Sequence, residues 1–142
     1  MYREVINSRQ SAYCHLFFHC CLGDESPARR QAAFTVARYV EGGVNGETKL
    51  ADELTLYKKY ASRIANEQAF LNYLIDIINP TNPVVLYYYC IEIILADKKI
   101  PETANELIKN IAAVLNLSSS EQTNAFCVMK DMIREINAME AA

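Results

Sequence analysis

The chain of 142 residues has a mass of 16.1 kDa, and 51% of its residues are apolar, which fits one domain over residues 1–142 and excludes a disordered chain. Fourteen Lys and Arg against 17 Asp and Glu leave a formal net charge of −3. Because no basic block is present, we expect no nucleic-acid partner, since phosphate binding requires clustered positive charge.

Helical signals occupy the first half of the chain. The first expected helix spans residues 2 to 22, and its later half is apolar around most of its circumference, as in a central helix. A second helix begins at Pro27, after the capping residue Ser26, and extends to about Val40. After two glycines, the pattern predicts a third helix that follows the capping residue Asn45.

The second half begins with a fourth helix over residues 67 to 78, which ends at the break Asn79-Pro80-Thr81-Asn82-Pro83. Five residues form a short connection, so we place no domain boundary there. Residues 84 to 95 are rich in β-branched and aromatic side chains, a composition that favours a strand. Their length and the Asn-Pro start favour a fully buried helix, which is our prediction.

Two further helices complete the predicted fold. One begins at Pro101, and the last begins at Ser118, where Glu121 three positions later matches a capping box. No segment shows the lasting alternation of a strand that faces solvent on one side. The sequence therefore predicts an all-α, single-domain bundle of about seven helices.

The cysteines and the apolar runs bear on the compartment. The five cysteines are an odd number without C-x-x-C spacing, and they lie in apolar segments: Cys14, Cys20, Cys21, Cys90 and Cys127. We therefore expect reduced thiols and a cytoplasmic protein. The longest uncharged apolar run, Val84 to Ile91, is far shorter than the roughly 20 residues of a membrane span, so we expect no transmembrane segment.

A faint internal repeat relates two junctions between helices. At each one an apolar helix ends near an acidic residue, Glu41 or Asp97, and a β-branched residue follows three positions later, Val44 or Ile100. We interpret both as tight helix-turn-helix turns. The acidic side chain would accept hydrogen bonds from amides at the start of the next helix, and the apolar residue would enter the core.

These turns resemble the TerB-like tellurite-resistance family. The stretch Ile94-Leu95-Ala96-Asp97-Lys98-Lys99-Ile100-Pro101-Glu102, with the later Leu115-Asn116-Leu117-Ser118, resembles the second half-motif of that family. Residues 33 to 54 are similar to the first half-motif, with Glu41 in place of its aspartate and Glu47 in the first turn of the next helix. The resemblance covers roughly residues 15 to 130 and implies two related helix-turn-helix halves.

The resemblance also implies one candidate metal site. The acidic cluster of the family has been suggested to bind a metal or a charged ligand, and four of its positions are acidic in this chain: Glu41, Glu47, Asp97 and Glu102. The family pattern is broken where Lys98 and Lys99 follow Asp97 and where Thr103 and Ala104 replace glutamates. Because no calcium loop is present either, we favour capping and solvation for these four carboxylates.

Two histidines form a second constellation. His15 and His19 lie four positions apart, so a helix places both on one face, as zinc sites require. The glutamate of a zinc-protease motif is replaced by Leu16, and no third ligand follows at a suitable spacing. We therefore predict structural histidines at a helix edge.

Nine tyrosines and no tryptophan leave a third candidate. The tyrosines suit the core, with hydroxyl groups that reach the surface, or an interaction surface. The stretch Tyr57-Lys58-Lys59-Tyr60 would suit a protein partner or a weakly bound anionic one. Three consecutive tyrosines, Tyr87 to Tyr89, point in three directions on a helix, so at least one hydroxyl should reach a polar partner or an interface.

Three functional hypotheses follow from these patterns. The leading one is a non-catalytic module without a cofactor that binds a protein partner; the resemblance implies tellurite and chemical stress responses and multi-protein complexes, including complexes near membranes. The alternative is a sensor or enzyme that binds a divalent metal through the acidic residues of the two turns. A third, a thiol redox sensor, requires Cys20 or Cys21 to have a lowered thiol pKa. Nucleophilic catalysis lacks a nucleophile beside a base.

Overall fold

The computed structural model describes residues 2–23, 26–40, 47–128 and 131, apart from the side chains of residues 47 and 48. These residues are helical with short connections, and no strand occurs among them. The helices are α1 (Tyr2–Val5), α2 (Arg9–His19), α3 (Pro27–Tyr39), α4 (Glu47–Tyr60), α5 (Glu67–Ile78), α6 (Pro83–Ile94), α7 (Glu102–Val114) and α8 (119–128), with a 3₁₀ turn, Ala61–Arg63, after α4. The predicted all-α fold is confirmed.

The first predicted helix is divided into two, which corrects the expectation of one helix from residue 2 to residue 22. Ser8 has extended backbone angles, and its side chain accepts a hydrogen bond from the amide of Ser11 at 3.1 Å. This side chain caps α2 and satisfies an amide that a continuous helix would have bonded to its own backbone. The division leaves α1 as one short turn.

Helix α2 is the central element of the bundle. Every residue from Ser11 to Phe18 is buried, and α2 contacts α3, α4, α5 and α6. The expectation of a central helix is therefore confirmed. The burial also encloses polar groups, since Ser11 and His15 lie among the apolar side chains. Each of these groups needs a hydrogen-bond partner inside the protein.

The apolar segment after the Asn-Pro break is a helix, as predicted, but the expectation that it is fully buried is wrong. The side chain of Asn82 accepts a hydrogen bond from the amide of Val85 at 3.3 Å, and Pro83 is the first residue of α6. Tyr87 is buried, whereas Tyr88 and Tyr89 are partly exposed. The continuous apolar run therefore forms a helix that is only partly buried, since Val85, Tyr88 and Tyr89 keep exposed surface.

The predicted capping box at the start of α8 is present. The Ser118 side chain accepts from the amide of Glu121 at 3.1 Å, and the Glu121 carboxylate accepts from the amide of Ser118 at 2.9 Å. The predicted cap at Asn45 lies outside the described residues. None of the described helices has the length and apolar character needed to span a bilayer.

Candidate functional site

The acidic residues that suggested a metal site are only partly described. Glu41 and the side chain of Glu47 lie outside the described part of the chain, and Glu102 is exposed at the start of α7. Asp97 follows α6, and its Oδ2 atom accepts from the Ser26 hydroxyl at 2.7 Å while its Oδ1 atom accepts from the Lys99 amide at 3.1 Å. Asp97 thus connects the turn after α6 to the start of α3.

The Asp97 carboxylate is surrounded by hydrogen-bond donors of the protein itself. The Lys99 amide and then the Ser26 hydroxyl lower the pKa of the Asp97 carboxyl, and the Arg29 guanidinium lies 4.0 Å from it. Arg29 is buried, and its side chain donates to the carbonyls of Ile94 and Lys99. Asp97 therefore accepts from an amide within the turn and not, as expected, from the start of the next helix. The expectation that Ile100 enters the core is also wrong, because Ile100 is 50% exposed. No group of three or more His, Cys, Asp or Glu side chains suited to a metal occurs among the described residues.

His15 lies in the interior and not at a helix edge, which corrects the sequence-based expectation. Its side chain has no exposed surface. Its Nδ1 atom is hydrogen-bonded to the Tyr60 hydroxyl, and its Nε2 atom lies 2.7 Å from the Glu53 carboxylate. The Ser11 hydroxyl donates to the other Glu53 oxygen at 2.8 Å. Helix α2 is thereby joined to α4 by polar side chains in the core.

His19 repeats this arrangement one helical turn later. Its Nδ1 atom lies 2.8 Å from the Tyr57 hydroxyl, and its Nε2 atom lies 2.8 Å from the Glu67 carboxylate. Asn110 of α7 donates to the second Glu67 oxygen at 2.7 Å, and Gln68 donates to Asn110 at 3.1 Å. We call the six central residues the twin histidine network: His15, His19, Glu53, Glu67, Tyr57 and Tyr60.

The hydrogen-bond partners determine which ring nitrogen of each histidine carries a proton. An ionised carboxylate only accepts hydrogen bonds, so the Nε2 atoms of His15 and His19 each carry a proton. In the neutral tautomer Nδ1 then accepts a hydrogen bond from the tyrosine hydroxyl. Burial raises the pKa of both Tyr57 and Tyr60, which keeps the hydroxyl groups protonated as this assignment requires.

Burial and hydrogen bonding also affect the charge states of His15 and Glu67. Loss of hydration lowers the pKa of His15, and the Glu53 carboxylate opposes this shift only in part. The hydrogen bond with His19 lowers the pKa of Glu67, although partial burial opposes it. His15 is therefore neutral near pH 7, and Glu67 is ionised.

The twin histidine network is an internal polar connection among three helices, α2, α4 and α5. Both ring nitrogens of each histidine are engaged by a tyrosine and a glutamate, so neither ring presents a free lone pair to zinc. Fully bonded polar networks of this kind restrict how helices can pack, because a shifted register would leave buried groups unpaired. The network determines the registration of α2 against α4 and α5.

The tyrosine-lysine stretch does not form one continuous exposed surface. Tyr60 is buried and Tyr57 is half-buried, and both hydroxyl groups bind histidines. Lys58 and Lys59 are exposed on α4. The structure therefore separates the four residues into two inner tyrosines and two outer lysines.

Two acidic members of the network were missed by the sequence analysis. Glu53 lies at helical spacing between Leu50 and Tyr57, on the side of α4 that the apolar residues mark as buried. A carboxylate among these buried positions needs a polar partner in the core, so the sequence could have indicated that Glu53 pairs with a histidine. Glu67 begins α5, and no local pattern distinguishes it from any other acidic residue in a first helical turn.

The cysteines are mostly part of the core. Four are buried, Cys14, Cys20, Cys21 and Cys90, whereas Cys127 is exposed. Burial raises the pKa of Cys14 to about 12 and also raises the pKa of Cys20. A redox sensor needs a thiol with a lowered pKa, and at Cys20 the direction is the opposite.

One end of the α3–α6 pair has an apolar surface. Tyr39 at the end of α3 is 75% exposed, and Val85 near the start of α6 is 40% exposed. A cavity of about 200 Å³ lies beside Val85, with Val40, Leu86 and Tyr89 in its walls and Arg9 among the polar residues that line it. We call this region the α3–α6 surface.

Comparisons with known proteins identify no relative: no family model, curated protein or solved structure matches the chain. The TerB resemblance stays a prediction that depends on the residues of the two turns. The fold and the contacts described above are the basis for the functional proposal.

Proposed function

We propose that this chain is a non-catalytic helical module that binds a protein partner, in the stress-response class that the TerB resemblance implies. The main support is the α3–α6 surface, where exposed Val85 lines a cavity together with Val40, Leu86 and Tyr89, and where Tyr39 is exposed at the end of α3. Large apolar side chains are costly to leave in water, and exposed clusters of them mark interaction sites. Tyrosine is also enriched among the residues that dominate binding energy.

The lining of the cavity supports one type of partner segment. Its volume of about 200 Å³ can accept one leucine, methionine or phenylalanine side chain against Leu86 and Tyr89. The Arg9 guanidinium lies over the Tyr13 ring at 5.5 Å from its centre, and both residues line the cavity. A partner segment with an apolar anchor beside an Asp or Glu would match this combination of walls and charge.

The interior chemistry supports a non-catalytic role. His15, His19, Glu53 and Glu67 are the residues best suited to proton transfer, and they are hydrogen-bonded to one another and to tyrosines. His15 has no exposed surface on which a substrate could bind. A general base must reach the proton that it abstracts, and His15 reaches only Glu53 and Tyr60.

The experiment uses two matched variants. Val85→Asp places a charge on the α3–α6 surface, and Ile100→Asp places the same charge on the connection between α6 and α7, where Ile100 is 50% exposed. Tagged wild-type and variant chains are expressed in the native cell, cross-linked and purified. We expect one reproducible protein partner with the wild type and with Ile100→Asp, and at least about a tenfold loss with Val85→Asp.

A second arm tests the stress-response class. Cells without the gene are grown with tellurite and with other chemical stressors, and they are complemented with the wild type or with Val85→Asp. We expect greater sensitivity without the gene, and rescue by the wild type alone. Equal recovery of partners by both variants would refute the proposed surface, and unchanged growth under every stress would refute the stress-response role.

A further inference from the structure

Arg9 brings an unpaired positive charge to the cavity beside Val85. It is the first residue of α2, and it lines the cavity together with Thr81 and Asn82, which precede α6. None of the described residues in this lining is acidic, and no salt bridge within the described part of the chain includes Arg9. The first amides of α6 add partial positive charge to the same region. An anionic group in the cavity would therefore be attracted to its lining.

The hydrogen bonds of the Arg9 guanidinium are also incomplete. One terminal nitrogen donates to the Tyr13 hydroxyl at 3.3 Å, and the guanidinium lies over the Tyr13 ring, 5.5 Å from its centre. The Nε atom of Arg9 is shielded from solvent and has no hydrogen-bond partner among the described residues. A buried donor without a partner costs free energy, and the planar set of N–H donors of arginine suits a carboxylate. Tyr13 thus positions a cation whose hydrogen bonding is not completed by the protein.

The remaining walls of the cavity are mainly apolar. Val40 and Leu86 are buried, and Tyr89 is partly buried, so these walls belong to the packed part of the bundle. The cavity volume is about 200 Å³. Since an apolar cavity of roughly 150 Å³ holds benzene, there is room for one large apolar side chain and an adjacent small polar group.

This small volume favours an apolar group and a carboxylate that belong to the same residue. In an extended segment, neighbouring side chains point to opposite faces, so an acidic residue next to an apolar anchor would point away from the cavity. On a helix, side chains on the same face are separated by about 5 to 6 Å between their Cβ atoms. A C-terminal residue carries its side chain and its α-carboxylate on one Cα atom, so both can enter one cavity.

We propose that the cavity beside Val85 captures the free C-terminus of a partner protein whose last residue is large and apolar. The terminal side chain packs against Leu86 and Tyr89, and the α-carboxylate accepts hydrogen bonds from Arg9. Capture of a terminal carboxylate is an established mode of peptide recognition. The inference rests on the proposed function and deepens it, because it identifies the group of the partner that the α3–α6 surface recognises.

The first test compares peptides that differ in the carboxylate they offer. Short fluorescent glycine-serine peptides that end in leucine, methionine or phenylalanine are titrated with the full chain, each as the free acid and as the C-terminal amide. One further amidated peptide carries a glutamate next to an internal leucine. We expect fluorescence anisotropy to give a Kd below about 1 mM for at least one free acid, and binding at least about tenfold weaker for its amide and for the glutamate peptide.

The second test uses two variants that remove the same charge. Arg9 lines the cavity, whereas Lys109 is exposed on α7 and does not, so Arg9→Gln is compared with Lys109→Gln. We expect Arg9→Gln to weaken binding of the free acid about tenfold and to leave the amide unchanged, and Lys109→Gln to stay within about twofold of the wild type. Arg9→Lys keeps the charge without the planar donors and should give an intermediate loss. Circular dichroism and thermal unfolding verify the fold of each variant.

Three results would overturn the inference. These are no saturable binding of any free acid, equal binding of a free acid and its amide, and equal losses with Arg9→Gln and Lys109→Gln. Binding of the glutamate peptide as tight as that of the free acid would also overturn it, because the carboxylate would then come from a side chain.

The cross-linking experiment separates this inference from the proposed function. We expect Arg9→Gln to lose the cellular partner, as Val85→Asp does. Loss with Val85→Asp and full recovery with Arg9→Gln would uphold the proposed surface and refute recognition of a terminal carboxylate. Full recovery with Val85→Asp would refute the proposed surface itself.

Discussion

His15 and Glu53 form a hydrogen-bonded pair in the core, with 2.7 Å between Nε2 and the carboxylate and no exposed surface on the imidazole. Their helices, α2 and α4, are 38 positions apart at this contact. His19 and Glu67 repeat the pairing one turn along α2. Since each pair is completed by a tyrosine hydroxyl, α2 is held by two polar connections of the same composition.

The first prediction concerns the stability provided by Glu53. Glu53→Ala removes the carboxylate that accepts from His15 and from Ser11, and it leaves both donors buried without that partner. Breaking a buried pair on one side is strongly destabilising, so we expect the free energy of unfolding to fall by about 3 kcal/mol. Urea denaturation followed by circular dichroism measures this change.

A matched control for Glu53→Ala is available on α7. Glu106 is exposed, so Glu106→Ala removes a carboxylate without disturbing the core. We expect it to change the free energy of unfolding by no more than about 0.5 kcal/mol. A similar small effect from Glu53→Ala would mean that the Glu53 pair contributes nothing to stability.

The second prediction is a loss of stability at mildly acidic pH. Burial lowers the pKa of His15 in the folded protein below the usual 6.5, so the unfolded chain binds this proton first. The free energy of unfolding should therefore fall as pH decreases below about 6.5, by at most about 1.4 kcal/mol per pH unit for one proton. The groups that face His15 are Glu53, Tyr60 and the edge of Tyr57.

Glu67 adds a separate loss at lower pH. The pKa of Glu67 is lowered in the folded state by His19, so its stabilising effect is present above about 4.5 and is lost as pH falls through its folded value. His15→Gln removes the titrating imidazole, and it should reduce the slope between pH 7 and 5 even though the variant is less stable overall. An unchanged slope in this variant would contradict the assignment to His15.

The third prediction concerns divalent metals. The two oxygens of Asp97 already accept from Ser26 and Lys99, and the Arg29 guanidinium lies nearby. Calcium requires about six to eight oxygen ligands, so we expect Ca²⁺, Mg²⁺ or Mn²⁺ to shift the midpoint of thermal unfolding by less than about 1 °C. A larger shift that Asp97→Asn abolishes would favour the alternative metal-binding function.

The fourth prediction concerns thiol reactivity. Cys14, Cys20, Cys21 and Cys90 are buried, and Cys127 is the exposed cysteine. The thiolate is the reactive form, and burial raises the pKa of Cys14 and Cys20. We expect one thiol to react rapidly with an aromatic disulfide reagent in the native protein, and Cys127→Ser should remove that fast phase. Fast labelling of Cys20 in this variant would support the redox-sensor hypothesis.

Local patterns predicted the helices well but left the first one too long. The Asn-Pro start at residue 82 and the capping box at Ser118 are each formed by residues within one turn, so sequence alone was sufficient to identify them. The break before α2 depends on Ser8, whose side chain bonds the Ser11 amide in competition with a continuous helix. A continuous helix and a break capped by Ser8 both give the Ser11 amide a hydrogen bond, so packing decides between them.

The candidate sites show the same division. Apolar spacing located α2 at the centre, and the four-residue interval placed His15 and His19 on one face. The partners of the two histidines were set by contacts between residues 38 to 48 positions apart, which the sequence pattern did not reveal. The same contacts turned Tyr57 and Tyr60 inward and left Lys58 and Lys59 outside.

The amino-acid sequence by itself determined the all-helical fold, most helix starts and the central place of α2, because spacing and caps act over a few residues. Only the tertiary structure decided that two glutamates from different helices would partner the histidines. These arrangements depend on the packing of helices that are distant in the chain. A local sequence pattern does not show which distant helices will be in contact. Buried polar groups pair only when those helices pack together.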